Sequence, residues 1–207
     1  MNLPYQIKTI DEFKESNFVE KKSTLIACVY SANSEEIVKD YLSEVKKKYF
    51  DASHHCYAFK FADGYFRHSD AGEPSGTAGI RILNAIDHFE LTNLLVVVTR
   101  YFGGIKLGVG PLGKAYYFAA YEVLKKSSII SKQLFQKVII KAKIDKVSMV
   151  HKILANHNSI ITESDYSENV KMSCLINLKE IDIIVEKLAK TVRNEIIFSP
   201  SVEFIYK

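Results

Sequence analysis

The sequence predicts an α+β protein with two domains, and three observations support this prediction. All nine glycines fall between Gly64 and Gly113, so the second part is expected to consist of regular elements and the first part to carry two glycine-rich loops. Apolar residues recur with strand periodicity in some segments and with helical periodicity in others. The second part has the order strand, helix, two strands, helix, strand, which is the ferredoxin-like βαββαβ arrangement. We place the joint at 127–133, which gives domains 1–130 and 131–207.

The first domain opens with a predicted strand, a helix and a hairpin. Residues 21–30 form the strand. Asn33, followed by Glu36 three residues later, resembles a capping box at the start of a helix. Residues 54–61 and those after Gly64 predict a β-hairpin. The apolar stripe of the helix is formed by Ile37, Val38, Tyr41, Leu42 and Val45.

A buried strand and two further helices complete the first domain. Residues 94–99 are continuously apolar or β-branched, which is typical of a strand covered on both faces. The spacing of Ile80, Leu83 and Ile86 predicts one helix. A second helix is expected to begin near Pro111, because proline is well suited to the first turn.

The second domain alternates more simply. We expect a strand over 134–144, a helix over 147–157 and two short strands that meet near 162–169. A helix over 181–192 and a last strand from Glu195 to Tyr206 follow.

Composition excludes several classes of protein. Apolar residues make up 47% of the 207 residues and charged residues 25%, an ordinary globular balance. No apolar run, Leu94–Val98 included, is long enough to cross a bilayer, and the first residues contain no signal-peptide core. Three scattered cysteines cannot form a disulfide framework or a zinc knuckle. We therefore expect a cytoplasmic protein without a membrane segment.

Two well-known nucleotide motifs occur in the second glycine loop, 100–116, and neither fits fully. The G-x-G-x-x-G pattern starting at Gly108 lies too far from the end of the preceding strand for a dinucleotide site. The same stretch reads G-x-x-x-x-G-K up to Lys114, but Ala115 stands where a magnesium-binding hydroxyl is required. We expect no nucleotide cofactor.

The physical basis of both motifs nevertheless predicts an anion site in this loop. Glycines permit close backbone approach, and a helix start offers free N–H groups beside several cations. The alternative is a long turn that needs glycine only for positive φ values. The candidate anion-binding residues are Arg100, Tyr101, Gly103, Gly104, Lys106, Gly108, Gly110 and Lys114.

The first glycine loop, 68–79, contains candidate catalytic groups. Asp70 and Glu73 are close enough in sequence to form a carboxylate pair. Ser75 is a candidate nucleophile if a base adjoins it, and Thr77 is expected to cap the following helix. A structured loop without catalysis is the alternative.

Two adjacent histidines precede that loop. His54 and His55 lie on a predicted strand, so their side chains point to opposite faces and cannot both bind one metal ion. Either is a candidate partner for Asp70 or Glu73, or for an RNA base; a buried, hydrogen-bonded histidine is the alternative. We expect no metal site, and we expect Cys56 to be a small core residue.

Aromatic residues flank both glycine loops. Interleaved with lysine and arginine, exposed aromatics can stack unpaired bases, although most in a domain this small must be core. These residues are Tyr57, Phe59, Phe61, Tyr65, Phe66, Tyr101, Phe102, Tyr116 and Tyr117.

Four segments resemble the IMPACT/YigZ family, in particular its bacterial YigZ-type members. They are DASHHCYAF (51–59), SDAGEPSGTAG (69–79), VVVTRYFGGIKLGVG (96–110) and PLGKAY (111–116). Such long, ordered motifs are specific, and the resemblance extends over about residues 18–126.

The resemblance implies a first domain like domain IV of elongation factor G and a ferredoxin-like second domain like domain V. It also implies a role in translational control, where eukaryotic members restrain a kinase of an initiation factor through an additional N-terminal domain. We do not expect that partnership, because the motifs begin too near the start of this chain. Two positions depart from the family pattern: Ala71 replaces an aspartate, and Lys114 replaces an arginine after an unusual Pro111.

These observations favour a binding protein over an enzyme. We expect a translation- or stress-associated regulator that binds RNA, the ribosome or another polyanion through the basic glycine loop, with a possible protein partner in translation control. One alternative is a small-molecule hydrolase that uses the histidines and carboxylates beside the loops. The other is a protein–protein adaptor that uses the exposed sheet face of the second domain.

Overall fold

The computed structural model describes residues 3–166, 169–192 and 196–207. These residues form two sheets and five α-helices, so the α+β class is confirmed. The chain divides into two compact units. The first contains Ile7–Ser131, and the second contains Pro4–Gln6 together with Lys132–Lys207. No helix in the described part is long and apolar enough to span a membrane.

The described residues up to the joint form six strands and three α-helices. They are β1 (Gln6–Ile10), β2 (Lys14–Glu20), β3 (Ser23–Ser31), α1 (Glu35–Lys48), β4 (His54–Lys60), β5 (Phe66–Ser69), α2 (Gly79–His88), β6 (Leu94–Tyr101) and α3 (Val109–Lys125). The predicted hairpin, the helices and the buried strand all have counterparts here, whereas β1 and β2 were not predicted.

The sheet of the first unit has β6 at its centre. Its strands are ordered β2-β3-β6-β4-β5, and all neighbouring pairs are antiparallel. Leu94–Val98 is fully buried, because α2 and α3 cover one face of the sheet and α1 covers the other. This arrangement explains the continuous apolar run, since both faces of β6 contact core.

The start of α1 corrects one prediction. Ser34, not Asn33, is the N-cap, and its hydroxyl accepts a hydrogen bond from the backbone N–H of Ile37 at 3.4 Å. Asn33 is exposed one position earlier, so the predicted capping box with Glu36 does not form. The local sequence S-A-N-S offers several capping residues, and spacing alone cannot choose among them.

The remaining elements belong to the second unit, except for the start of one strand. They are β7 (Ile129–Lys143), a short 3-10 turn (Ile144–Lys146), α4 (Val147–Asn156), β8 (Ile160–Tyr166), β9 (Asn169–Asn177), α5 (Ile181–Val192) and β10 (Ile196–Tyr206). The first three residues of β7 belong to the first unit. Its antiparallel strands are ordered β10-β7-β9-β8, and β1 also pairs with β7. Core side chains of this sheet pack against α4 and α5. The predicted strand start at Glu195 and two residues of the predicted turn, 167–168, lie outside the described residues.

Candidate functional site

The strand register of the first unit gathers the predicted site residues at one end of β6. Tyr101 lies opposite Thr24 at the start of β3, and Arg100 lies opposite His54 at the start of β4. We call this edge the β6 rim. It consists of the β2–β3 turn (21–22), the segment before β4 (49–53) and the glycine loop (102–108).

A buried ion pair lies beneath the rim. The Arg100 Nη1 atom donates to Glu73 Oε1 at 2.6 Å, and the two side chains are only 6% and 5% exposed. The Tyr116 hydroxyl donates to the same carboxylate oxygen at 2.8 Å, while Arg100 Nη2 donates to Ser23 Oγ at 3.2 Å. Arg100 Nε has no hydrogen-bond partner among the described residues. Arg100 therefore organises the interior of the domain and is not presented to a ligand at the surface.

The apolar surroundings of this ion pair raise the pKa values of two neighbouring groups, Tyr116 and Cys56. Burial, with the nearby Cys56 and Glu73, raises the pKa of Tyr116 well above its ordinary value. Burial also raises the pKa of the Cys56 thiol to about 12, and that thiol donates to the Asp70 carbonyl at 2.9 Å. Cys56 is an unreactive core residue, as its strand position predicts.

Asp70 holds the first glycine loop in place. Its carboxylate accepts backbone N–H groups from Gly76, Ala78 and Gly79 at 2.8, 2.9 and 2.8 Å. Burial alone would raise the pKa of Asp70, but these three donors hold it below its ordinary value. The carboxylate thereby caps α2, and the predicted cap by Thr77 is wrong: that hydroxyl donates to the Pro74 carbonyl at 2.6 Å.

The carboxylates of Asp70 and Glu73 consequently serve different partners. Asp70 binds backbone amides of its own loop, whereas Glu73 binds Arg100 and Tyr116. Ser75 is exposed and makes no hydrogen bond to a histidine within the described ranges. Within the described ranges, Ser75 is therefore not paired with a histidine base, as a serine nucleophile would require.

His54 and His55 face opposite sides of the sheet, as strand geometry predicts. His54 Nδ1 lies 2.9 Å from the Ala71 carbonyl oxygen, so this nitrogen carries the proton, and Nε2 lies 3.9 Å from Glu73 Oε2. His55 Nδ1 lies 3.2 Å from Thr99 Oγ1 on the other face. Burial and nearby positive charge lower the pKa of His55. Across the described part of the chain, no three His, Cys, Asp or Glu side chains cluster as a metal site would require.

The glycine loop packs closely against the β2–β3 turn. A Cβ atom on Gly103 would lie 2.1 Å from the Lys22 carbonyl carbon, so no larger residue fits without moving backbone. The Gly103 N–H donates to Ser23 Oγ at 3.3 Å. Gly104 and Gly108 have positive φ values of 81° and 85°, which glycine adopts without strain. The turn and the loop therefore form one continuous surface.

Exposed cations occupy this surface. Lys106 and Lys114 are exposed and form no ion pair with any described carboxylate. Lys21 and Lys22 are also exposed, and both have positive φ values, 43° and 68°, in the turn. Arg81 lies beside this end of α3: a Cβ atom added to Gly113 would lie 3.3 Å from Arg81 Nε.

Sequence analysis did not identify Lys21, Lys22 or Arg81 as site residues. The run E-K-K-S between two strands was a detectable signal for the first two, because two polar residues between strands mark a tight turn.

The aromatic candidates at the rim differ in exposure. Tyr101 is half-buried, and its hydroxyl donates to Asp51 Oδ1 at 2.8 Å. Phe102 is 49% exposed, and its ring centroid lies 5.5 Å from Arg100 Cζ. Gly110, in the first turn of α3, has open space around its Cα atom. Tyr101 is thus partly engaged, whereas Phe102 presents one face to solvent.

Comparison with known proteins agrees with the motifs of the first unit. The Impact N-terminal domain model matches residues 21–124. IMPACT family member YvyE of Bacillus subtilis is 31% identical over 180 residues, covering 86% of this chain and 83% of that protein. IMPACT family member YigZ of Escherichia coli is 27% identical over 187 residues, covering 88% of each protein.

A solved structure shares the architecture. It is titled "Crystal structure of an hypothetical protein", superimposes with a TM-score of 0.72 and is 25% identical in sequence. The superposition covers 97% of this chain and all of that one. The family resemblance inferred from the motifs is confirmed, and the chain belongs to the IMPACT family.

Proposed function

We propose that this protein is a cytoplasmic, translation-associated regulator that binds RNA, free or within the ribosome, through the glycine loop at the β6 rim. Family membership supports a regulatory link to translation, since that is the role suggested for the broad family. The same proposal assigns the first unit to the elongation factor G domain IV type and the second to the ferredoxin-like type. The strand order β10-β7-β9-β8 supports the second assignment.

One observation carries the proposal: lysines that no described carboxylate neutralises lie on the close-packed turn and loop. Lys21 and Lys22 contribute from the turn, Lys106 from the loop, and Lys114 from the first turns of α3. Unpaired lysines suit phosphate oxygens, and a helix start such as that of α3 adds N–H groups that have no partner within the helix. Arg100, although predicted as a phosphate contact, has no part in the proposed contacts because Glu73 neutralises it in the interior.

The number of lysines sets the expected salt dependence. Each phosphate contact to a single strand contributes a slope of about −0.7 to the plot of log affinity against log salt, so four contacts give about −3. Lys106→Glu removes one contact and introduces repulsion, so we expect several-fold weaker binding and a slope shallower by about 0.7.

Fluorescence anisotropy tests the proposal with labelled single-stranded oligouridylate and a duplex RNA, each at low and moderate salt. Lys125→Glu is the matched control: it makes the same charge change at the last residue of α3, about 26 Å along the helix from Gly108. We expect Lys106→Glu to weaken binding and Lys125→Glu to leave it almost unchanged. Salt-independent binding, equal effects of the two variants, or no binding of either RNA would contradict the proposal.

A further inference from the structure

A second cationic surface lies on α1, which covers the sheet face opposite to α2 and α3. Phe50, two residues after the end of α1, is 83% exposed, which is exceptional for a phenylalanine. It borders a shallow depression, and we call this surface the α1 depression. Its lining residues are Lys39, Leu42, Ser43, Lys46, Lys47 and Phe50.

The α1 depression is positively charged with an apolar centre. Lys39, Lys46 and Lys47 form no ion pair within the described ranges, and no acidic side chain lines the depression. Leu42 and the Phe50 ring supply the apolar surface. An exposed aromatic face between unpaired lysines is the combination that single-strand binding proteins use, since the ring stacks a base while the ammonium groups contact phosphates.

The α1 depression adjoins the β6 rim, to which the glycine loop belongs. Phe50 begins the segment that leads into β4, and within that segment the Ser53 N–H donates to the Arg100 carbonyl at 3.0 Å. Asp51, next to Phe50, accepts the Tyr101 hydroxyl at 2.8 Å. Tyr101 is the last residue of β6, directly before the loop. The two cationic surfaces are therefore connected through two hydrogen bonds at the β6 rim.

We infer that the RNA path continues from the glycine loop over the β6 rim to the α1 depression, and that its ligand is a single strand. Phe50 stacks one unpaired base, and Lys46 and Lys47 contact the neighbouring phosphates. A duplex cannot use the Phe50 ring in this way, because its bases are already stacked on one another. This inference rests on the proposed function and adds to it the class of RNA and a second contact surface.

The stacking contact has a signature different from that of a phosphate contact. We expect Phe50→Leu to weaken oligouridylate binding by about 5- to 150-fold at every salt concentration, with an unchanged salt slope. Phe50→Tyr keeps the aromatic face and should bind within about twofold of the wild type. Duplex binding should not respond to either substitution.

Removing Lys46 and Lys47 should change the salt slope, which the Phe50 substitutions leave unchanged. The double variant Lys46→Gln, Lys47→Gln keeps two long polar side chains and removes two charges, so we expect the salt slope to become shallower by about 1.4. All three variants are measured by anisotropy beside Lys106→Glu, with circular dichroism to verify that each is folded. Because Phe50 and both lysines are exposed, none of these changes disturbs the core.

The outcomes separate this inference from the proposed function. If Lys106→Glu weakens binding while Phe50→Leu and the double lysine variant do not, the α1 depression is not part of the path and the proposed function stands. If the lysine variant weakens binding but Phe50→Leu does not, base stacking is refuted, and the depression supplies phosphate contacts without the proposed preference for a single strand. Equal loss of duplex and single-strand binding in Phe50→Leu also overturns the inference, and absence of all RNA binding overturns both proposals.

Discussion

Replacing Glu73 with glutamine tests whether the buried ion pair holds the β6 rim together. The substitution removes the negative charge that lies 2.6 Å from Arg100 Nη1 and that also accepts the Tyr116 hydroxyl at 2.8 Å. An arginine stays charged at any pH at which proteins are folded. Its guanidinium would remain about 94% buried with no counter-charge in contact.

The expected loss of stability is large. Removing one partner of a buried ion pair costs about 3–5 kcal/mol, because the other charge is left desolvated without compensation. The glutamine carbonyl can still accept one hydrogen bond from Arg100 or Tyr116, so we expect a value near the lower limit, about 3 kcal/mol. A domain is commonly stable by only about 5–15 kcal/mol, so this single change removes a substantial fraction.

Urea unfolding followed by circular dichroism measures the loss, and hydrogen exchange of β6 and α3 peptides assigns it to the first unit. Glu122→Gln is the matched control, since its carboxylate makes an exposed i,i+4 ion pair with Lys126 at 3.7 Å. Such surface pairs contribute a few tenths of a kcal/mol. If Glu73→Gln costs less than about 1 kcal/mol, or no more than the control, the ion pair does not stabilise the rim as argued.

A double variant separates loss of the pair from loss of packing. Arg100→Met combined with Glu73→Gln removes both charges and keeps most of the side-chain volume. We expect it to be more stable than Glu73→Gln alone, since no buried charge is left unpaired. If the double variant is the less stable of the two, the uncompensated arginine is not the cause of the loss.

Two further predictions concern backbone contacts. Gly103→Ala places a Cβ 2.1 Å from the Lys22 backbone and should destabilise the protein by about 1–3 kcal/mol. Gly110→Ala places its Cβ in open space within α3 and should be neutral or stabilising. Thermal unfolding of both variants checks this contrast, and equal effects would contradict it. Asp70→Asn keeps one oxygen that can accept from Ala78 and Gly79 but places an NH2 group against the Gly76 N–H, and it should cost about 1–3 kcal/mol at neutral pH through this lost acceptor. Because the folded-state pKa of Asp70 is lowered, its stabilisation is present above the unfolded value and is lost as pH falls through the folded value. The free energy of unfolding of Asp70→Asn should therefore fall less steeply between neutral and acidic pH than that of the wild type, and parallel curves would refute this assignment.

Short-range patterns predicted the parts of this protein that depend on neighbours in sequence. The apolar run Leu94–Val98 predicted a strand covered on both faces, because that environment leaves no position for a polar side chain. The alternation of His54 and His55 followed from strand geometry alone. Glycine spacing likewise indicated where the backbone takes positive φ values, as Gly104 and Gly108 show.

Contacts between distant residues were beyond such patterns. The sequence identifies Arg100 as a cation but does not reveal that Glu73, 27 residues earlier, neutralises its charge. The cap of α2 comes from Asp70, eight to nine residues before the amides it binds, whereas local capping rules look about three residues ahead. Lys21 and Lys22 belong to the candidate site because Gly103, about 80 residues later in the chain, packs against their turn.

The assignment of Pro4–Gln6 to the second unit means that this protein cannot complete its fold in the order in which it is synthesised. The Tyr5 carbonyl accepts the Leu134 N–H at 2.8 Å, and the Pro4 carbonyl accepts the Tyr206 hydroxyl at 2.8 Å. During synthesis Pro4 and Tyr5 therefore wait for partners that lie up to 202 residues later in the chain. A fragment that begins at Lys132 would lack its N-terminal pairing segment and expose a strand edge near Leu134, which favours aggregation. Isolating the second unit requires the first few residues to be supplied as well, as a fused or added peptide.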